Sequence, residues 1–275
     1  MRRFRYVVCD VFTDTPLTGN QLAVFTDARD LNDTDMQSLA REMSFSETVF
    51  VLPPTADADV RIRIFTPSLE LPFAGHPVLG TAFVLGGPLS KIEIRLETGV
   101  GVVPVELERE GPKIVFGRMR QPMPSVEPVE NTAEILAAVG VERSGLPVEA
   151  YDLGPGHLYV ELPSARDVAS LAPDFAALAR VSRHGVNCFG RDGAAWKTRM
   201  FAPNHGVPED PATGSAAGPL ALHLARHGRI AYGEQIEIHQ GAEIDRPSTL
   251  YAAAFDDHLE VGGSAVTVAR GEFGF

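Results

Sequence analysis

The sequence predicts an α+β protein made of two duplicated halves, each a curved β-sheet or barrel around a central apolar helix. Three observations carry this expectation. Residues 63–85 (RIFTPSLELPFAGHPVLGTAFVL) and 199–224 (RMFAPNHGVPEDPATGSAAGPLALHL) share one pattern: an Arg-apolar-Phe-small-Pro strand end, a short loop, then Gly-His or Gly-Ser opening an almost wholly apolar helix. Both helices are followed by the same tripeptide, Ile92-Glu93-Ile94 and Ile236-Glu237-Ile238. Strand-like runs outnumber helical ones, and the long connections are polar. The repeat divides the chain into residues 1–120 and 130–259, with a C-terminal strand within 260–275 free to complete the first half.

The elements follow in order. Phe4 to Phe12 reads as a strand, and Gly19-Asn20 turns the chain into a second, Gln21 to Thr26. Asn32 is placed to cap a helix from Asp33 to Met43, whose inner face is Met36, Leu39, Ala40 and Met43. Ser44 to Val51 enters a strand with one carboxylate, Glu47, ahead of an apolar run. Val60 to Thr66 is a strand, Gly75 to Leu85 the first buried helix, and Ile92–Thr98, Val102–Arg109 and Lys113–Met119 are strands. Gln121 to Val129, with three prolines, reads as the interdomain linker. The second half predicts helices at Thr132–Val139, Ala165–Leu171 and Pro173–Val181. Its strands fall at His157–Leu162, Gly185–Phe189, Trp196–Phe201, Gln235–Ile238 and Leu250–Phe255, and Ala265–Ala269 is a last strand. Between them the 203–228 stretch ends in a helix with Ala217, Leu220, Ala221 and Leu224 on one face and Leu222 and Ala225 opposite, so it is buried on most sides.

Composition narrows the function classes. The chain has 275 residues, 44% of them hydrophobic and 22% charged, as an ordinary globular protein does. A net charge of −12 argues against nucleic acid or an anionic membrane as partner. Cys9 and Cys188 lie singly in apolar runs and read as buried free thiols of a cytoplasmic protein. MRRFRYVVCDVF begins as a leader would, but Asp10 and Asp14 interrupt a short alternating run, so it reads as a strand. No run approaches the length of a membrane span.

The candidate chemistry gathers at the two helix starts. Gly75-His76 and Gly214-Ser215 each leave first-turn N–H groups open, a natural seat for a carboxylate. Thr213 and Ser215 have an alternative role as N-caps. Glu47, His76, Glu209 and Asp210 are the candidate acids and bases, and two carboxylates with a histidine near facing helix starts suggest proton transfer. Twelve residues separate Arg63 from Gly75 and fifteen separate Arg199 from Gly214, an asymmetry expected to lie where Glu209 and Asp210 stand. His223 and His227 have the i, i+4 spacing of zinc helices, but HLARH lacks the glutamate after its first histidine and reads as a helix C-terminus. Phosphate-loop and dinucleotide fingerprints are missing, and no metal is expected. Spacing leaves open a Ser215/His76/Asp210 hydrolase.

SFSETVFV, LPFAGHPVLGTA and EDPATGSAAGPLALHLARHG resemble the signatures of the PhzF family of phenazine-biosynthesis isomerases. The resemblance runs from the first strand through GNQLAVF to HQGAEIDRPS, nearly the whole chain. It implies a diaminopimelate epimerase-like fold with the active site between the halves. Those epimerases carry a cysteine at each helix start, where this chain has His76 and Ser215, so a two-thiol racemase is not expected. The resemblance further implies a cofactor-free isomerisation of trans-2,3-dihydro-3-hydroxyanthranilate by a homodimer. Glu47 would move a proton from C3 to C1 of this small anionic substrate. His76, Asp210 and Ser215 would hold its polar groups, beside Gly75, Thr213 and Gly214. Another small amino acid as substrate, or a non-catalytic binding protein, stands as the alternative.

Overall fold

The computed structural model describes residues 2–275, and its contacts resolve into two compact units. The first runs to Arg120 and takes in Gly262–Phe275; the second is Gln121–Val261. Among the described residues no helix is long and apolar enough to cross a membrane.

The first unit begins β1 (Arg3–Val11), β2 (Asn20–Phe25), α1 (Asp33–Met43), β3 (Glu47–Leu52), β4 (Val60–Phe65), β5 (Glu70–Leu71) and α2 (Gly75–Leu89). It continues β6 (Glu93–Thr98), β7 (Gly101–Glu110) and β8 (Lys113–Gln121). Asn32 does cap α1, its Oδ1 accepting the Asp35 N–H at 2.9 Å, with Asp33 and Asp35 favourably placed in the first turn. Ser44, in the left-handed region at φ 56°, ends the helix and lets the chain turn into β3. The buried side of α1 (Met36, Leu39, Ala40) packs with Phe25, Phe50 and Phe65. α2 has no charged residue and buries nearly every position from Gly75 to Ala82. It approaches the sheet closely because Gly80 has no side chain: a Cβ there would stand 2.7 Å from Leu22 and Val11.

The second unit contains β9 (Ser125–Pro128), α3 (Thr132–Val139), β10 (Glu149–Asp152), β11 (Gly156–Glu161), α4 (Ala165–Ala169) and α5 (Phe175–Val181). Then come β12 (Gly185–Asp192), β13 (Ala195–Ala202), β14 (Val207–Asp210), α6 (Gly214–Arg226), β15 (Ile236–Gln240), β16 (Ser248–Ala254) and β17 (Leu259–Gly263). β17 reaches the unit boundary, and β18 (Ala265–Gly274) returns to the first unit, antiparallel to β1 along its whole length. β11 shows the two-residue period of a strand buried on both faces. Leu158 and Val160 join the cluster formed with α3, α4 and α5, whereas His157 and Tyr159 reach Ser215 and Ala216 of α6.

The duplication is written in the hydrogen-bond ladders. In the first unit β2 is parallel to β3, β3 antiparallel to β4, β4 antiparallel to β5 and parallel to β6, and β6 antiparallel to β7. In the second, β11, β12, β13, β14, β15 and β16 repeat the series with the same directions. α2 and α6 occupy the same place in it. Register then makes the correspondence residue by residue, and it corrects three expectations.

First, the shared tripeptide is shifted by two. Val60 pairs with Leu96 and Trp196 with Ile238, so Ile238 answers to Leu96 and Ile236 to Ile94, not Ile92. Accordingly Ile92 is 75% exposed whereas Ile94 and Ile236 are buried. Second, the extra loop length does not lie at the acidic pair. Ile64 pairs with Leu71 and Met200 with Asp210, which makes Glu70 the counterpart of Glu209 and Leu71 that of Asp210. Five residues then lead from each glutamate to the helix glycine, and the three additional residues fall in the Pro203–His205 helical turn and its flanks. Third, Gln121 to Val129 is not only a connection: Ser125–Pro128 is a strand paired with β10. Its prolines did not preclude pairing, since a proline loses one ladder bond and is accommodated at strand ends. The short strands β5, β10, β14 and β17 have too few residues for a periodic signal.

Candidate active site

In the first unit the site is built where β2, β3 and α2 converge. Glu47 opens β3 opposite Leu22 of the parallel neighbour β2, and His76 is the second residue of α2. Ala74 at the N-cap gives no side-chain capping bond, so the first turn of α2 is not closed by the chain's own side chain. Ser46 Oγ donates to Asn20 Oδ1 at 2.9 Å, which turns the Asn20 amide nitrogen onto His76 Nδ1 at 3.2 Å. His76 Nε2 is thereby aimed at Glu47 Oε2, 3.6 Å away, outside hydrogen-bond range. That Nε2 is a buried polar atom with no hydrogen-bond partner among the described residues, a costly condition away from a site. Burial pushes His76 down to about 3, against a smaller upward pull from the Gln21 backbone, so the imidazole is neutral at ordinary pH.

In the second unit Asp210 ends β14 and is buried. Its Oδ2 accepts the Thr213 hydroxyl at 2.6 Å, and Gln240 clamps the same loop. Gln240 Nε2 donates to Asp210 O and Thr213 Oγ1, while its Oε1 accepts from Thr213 N and Thr198 Oγ1. The next residue must be glycine: at Gly241, φ is +80° and a Cβ would lie 2.5 Å from Pro211 O and 2.4 Å from Arg246 O. Thr213 occupies the N-cap position of α6 but makes no side-chain capping bond, its hydroxyl being committed to Asp210. Ser215 is not a cap either. It is the second helical residue, and its Oγ meets His157 Nε2 at 3.0 Å. Gly75 and Gly214 are the buried first residues of the two helices; Gly214 O accepts from Gln121 Nε2.

Glu209, a sequence candidate for acid–base work, is committed elsewhere. Its carboxylate receives Nε and a terminal nitrogen of Arg199, both at 2.8 Å, with both side chains nearly buried. Glu70 holds Arg63 in the same two-point manner at the matching place of the first unit. These are paired structural clamps, one per repeat.

Two groupings become visible only in the folded chain. A histidine opening an apolar strand carries no local signal, and the packing of β11 on α6 is what brings His157 to Ser215. The second is the grouping of Glu149, His223 and His227, whose candidate ligand atoms lie within 4.8 Å of one another. A carboxylate from β10 thus joins His223 and His227, which corrects the expectation that no cluster with metal spacing exists. Here the Tyr151 hydroxyl donates to Glu149 and lies 3.0 Å from His223 Nδ1, His227 Nε2 is 2.9 Å from Glu149, and Arg226 adds a positive charge. With the Tyr151 hydroxyl proton spent on Glu149, His223 Nδ1 donates to the tyrosine oxygen, and His223 Nε2 is left with no hydrogen-bond partner among the described residues.

Comparison with known proteins agrees with this architecture. A family model described as phenazine biosynthesis-like protein, PhzC-PhzF, matches residues 9–271. The chain is 52% identical over 272 residues to the trans-2,3-dihydro-3-hydroxyanthranilate isomerase of Pseudomonas aeruginosa, covering 97% of this chain and 98% of that protein. It superposes on a Bacillus anthracis phenazine biosynthesis protein of the PhzF family with a TM-score of 0.88 at 24% identity, covering all of both chains. A hydroxyproline epimerase of Agrobacterium vitis shares the fold at a TM-score of 0.68 and 11% identity, over 98% of this chain and 92% of that one. The duplicated α+β fold of the racemase and epimerase class is thus shown, and by the family match the chain belongs to the PhzC-PhzF phenazine biosynthesis-like family.

Proposed function

We propose that this protein is a cofactor-independent isomerase that converts trans-2,3-dihydro-3-hydroxyanthranilate to the corresponding amino-keto cyclohexene carboxylate. The observation that carries the reading is the buried His76 Nε2, without a hydrogen-bond partner and aimed at Glu47 beside the uncapped start of α2. A buried polar atom left open next to a carboxylate suits proton transfer on a bound substrate better than a structural role. The 52% identity to an isomerase named for that substrate supports the choice of substrate.

In this reading Glu47 takes the proton from ring carbon C3 and returns it at C1. Its side chain is only 14% exposed, which keeps bulk water from exchanging with the moving proton. Neutral His76, Asp210 and Ser215 hold the substrate's polar groups and follow the charge that develops in the dienol. The open first-turn N–H groups at Gly75 and at Gly214, beside Thr213, are preorganised donors for its carboxylate. Every step uses only side chains of this chain, so the reading includes no cofactor and no metal. It further takes the protein to be a cytoplasmic homodimer that binds neither membrane nor nucleic acid, in keeping with its acidic net charge.

The test is incubation of the purified protein with the dihydrohydroxyanthranilate while its ultraviolet absorbance is followed, before and after dialysis against a chelator. Turnover that survives dialysis is the expected result. No turnover refutes the substrate assignment. Loss on dialysis with recovery on adding zinc refutes the metal-free mechanism.

A further inference from the structure

We propose that His157 is a positioning residue which donates its Nε2–H to Ser215 Oγ and so directs the serine's own hydroxyl proton toward the substrate. The inference rests on the reading above, in which Ser215 binds substrate. Both side chains are buried and 3.0 Å apart. Alone, that distance fits two opposite arrangements: histidine as donor, or histidine as the base that activates a serine nucleophile.

The surroundings of the other ring nitrogen decide between them. Asn187 Nδ2 faces both the Leu158 carbonyl and His157 Nδ1, each at 3.4 Å. The carbonyl accepts only, so it holds the amide with its NH2 group on this side, and that group presents a donor to Nδ1. Nδ1 must then carry the lone pair, and the ring proton resides on Nε2. A serine-activating histidine needs the reverse, Nδ1–H resting on an acceptor such as a carboxylate. Burial, the main cause, holds the ring neutral by pushing it down to about 3, so it does not carry both protons near neutral pH.

Sequence and register explain why the ring can lie there. His157 pairs with Gly185, where a Cβ would stand 3.1 Å from Nδ1 and from Met200 Sδ. Gly185 also takes the position that Glu47 holds in the first repeat, because Thr48 pairs with Phe65 as Val186 does with Phe201. Where one repeat carries a base, the other carries room for a histidine that orients a hydroxyl.

The experiment combines kinetics with 15N NMR of histidine-labelled protein. In His157→Leu the ratio kcat/KM is expected to fall about 10- to 100-fold, the range for losing one buried hydrogen bond at a reacting group. His157→Gln, whose amide nitrogen reaches a similar place, is expected to recover most of it. In a Ser215→Ala background His157→Leu should cost less than about threefold, because the two residues act as one unit. An undiminished cost in that background shows a merely structural role and overturns the proposal. NMR should show His157 with a protonated Nε2 and a bare Nδ1 from pH 5 to 8. The opposite tautomer, or covalent labelling of Ser215 by a fluorophosphonate, overturns it even if His157→Leu does not fold. If wild-type protein fails to turn over the dihydrohydroxyanthranilate while NMR gives the expected tautomer, the substrate assignment is what fails and the hydrogen-bond assignment stands.

Discussion

Replacing Glu47 with glutamine isolates one property, the ability to accept a proton, while leaving shape nearly unchanged. Glu47 is the first residue of β3, held by its backbone opposite Leu22, and its Oε2 lies 3.6 Å from His76 Nε2. That is beyond a hydrogen bond, and His76 is neutral, so the substitution breaks no ion pair with His76, and the glutamine amide keeps the carboxylate's shape and one acceptor oxygen. Stability should change by less than about 1 kcal/mol, which for a chain of this size moves Tm by no more than a few degrees. The rate is another matter. Removing a general base costs at least ~10²-fold, equivalent to about 2.7 kcal/mol on the barrier, and the cost falls on kcat with KM nearly unchanged. Absorbance assays over a substrate series, paired with a thermal melt of the same preparation, measure both. A folded Glu47→Gln protein turning over within a few-fold of wild type would remove Glu47 from the mechanism.

The two arginine clamps make a matched stability test. Arg199→Met strands the buried Glu209 and empties the site where the guanidinium also donates to Leu171 O at 2.7 Å, so a loss of ~3–5 kcal/mol is expected in denaturant titrations. Arg63→Met should cost about 1 kcal/mol or less, because Glu70 and Asp33 are 41% and 83% exposed and solvent screens them; equal losses would refute the argument. The buried histidines predict the acid side of the stability curve. His76 and His157 titrate near 3 when folded and His223 near 4, against about 6.5 when unfolded, so the unfolded chain binds more protons throughout that window. Stability is therefore full above about pH 6.5 and declines as pH falls below it, approaching 1.4 kcal/mol per pH unit for each such histidine. Melting curves from pH 7.5 to 5 should show this, with a shallower slope in His223→Gln, and a flat profile would refute the burial argument.

The duplicated plan was legible because its signal is long. Two strand–loop–helix stretches each extend over more than twenty residues, and a helix without charges must be buried wherever it lies. The α1 cap was legible too, since Asn32 needs only Asp35, three residues on. Register was not. The Ile-Glu-Ile tripeptides align Ile92 where Ile94 belongs, because only the ladder pairing Val60 with Leu96 says which isoleucine faces in. Glu209 and Asp210 are adjacent and alike in sequence, yet one clamps Arg199 and the other is held by Thr213. Neighbouring residues on a strand point to opposite faces, so their roles separate only when the sheet is built.

Fold class, the repeat, the two apolar helices and the residue types at their starts follow from chemistry and period along the chain. Tertiary structure alone decided the partners: Asn20 and Glu47 for His76, Gln240 for the Asp210 loop, His157 for Ser215, and Glu149 for the two histidines of α6. Asn20 and His76 are 56 residues apart and His157 and Ser215 are 58 apart. No local propensity acts over such separations; the contacts form because hydrophobic burial of α2 and α6 against their sheets brings those polar groups together where water cannot satisfy them.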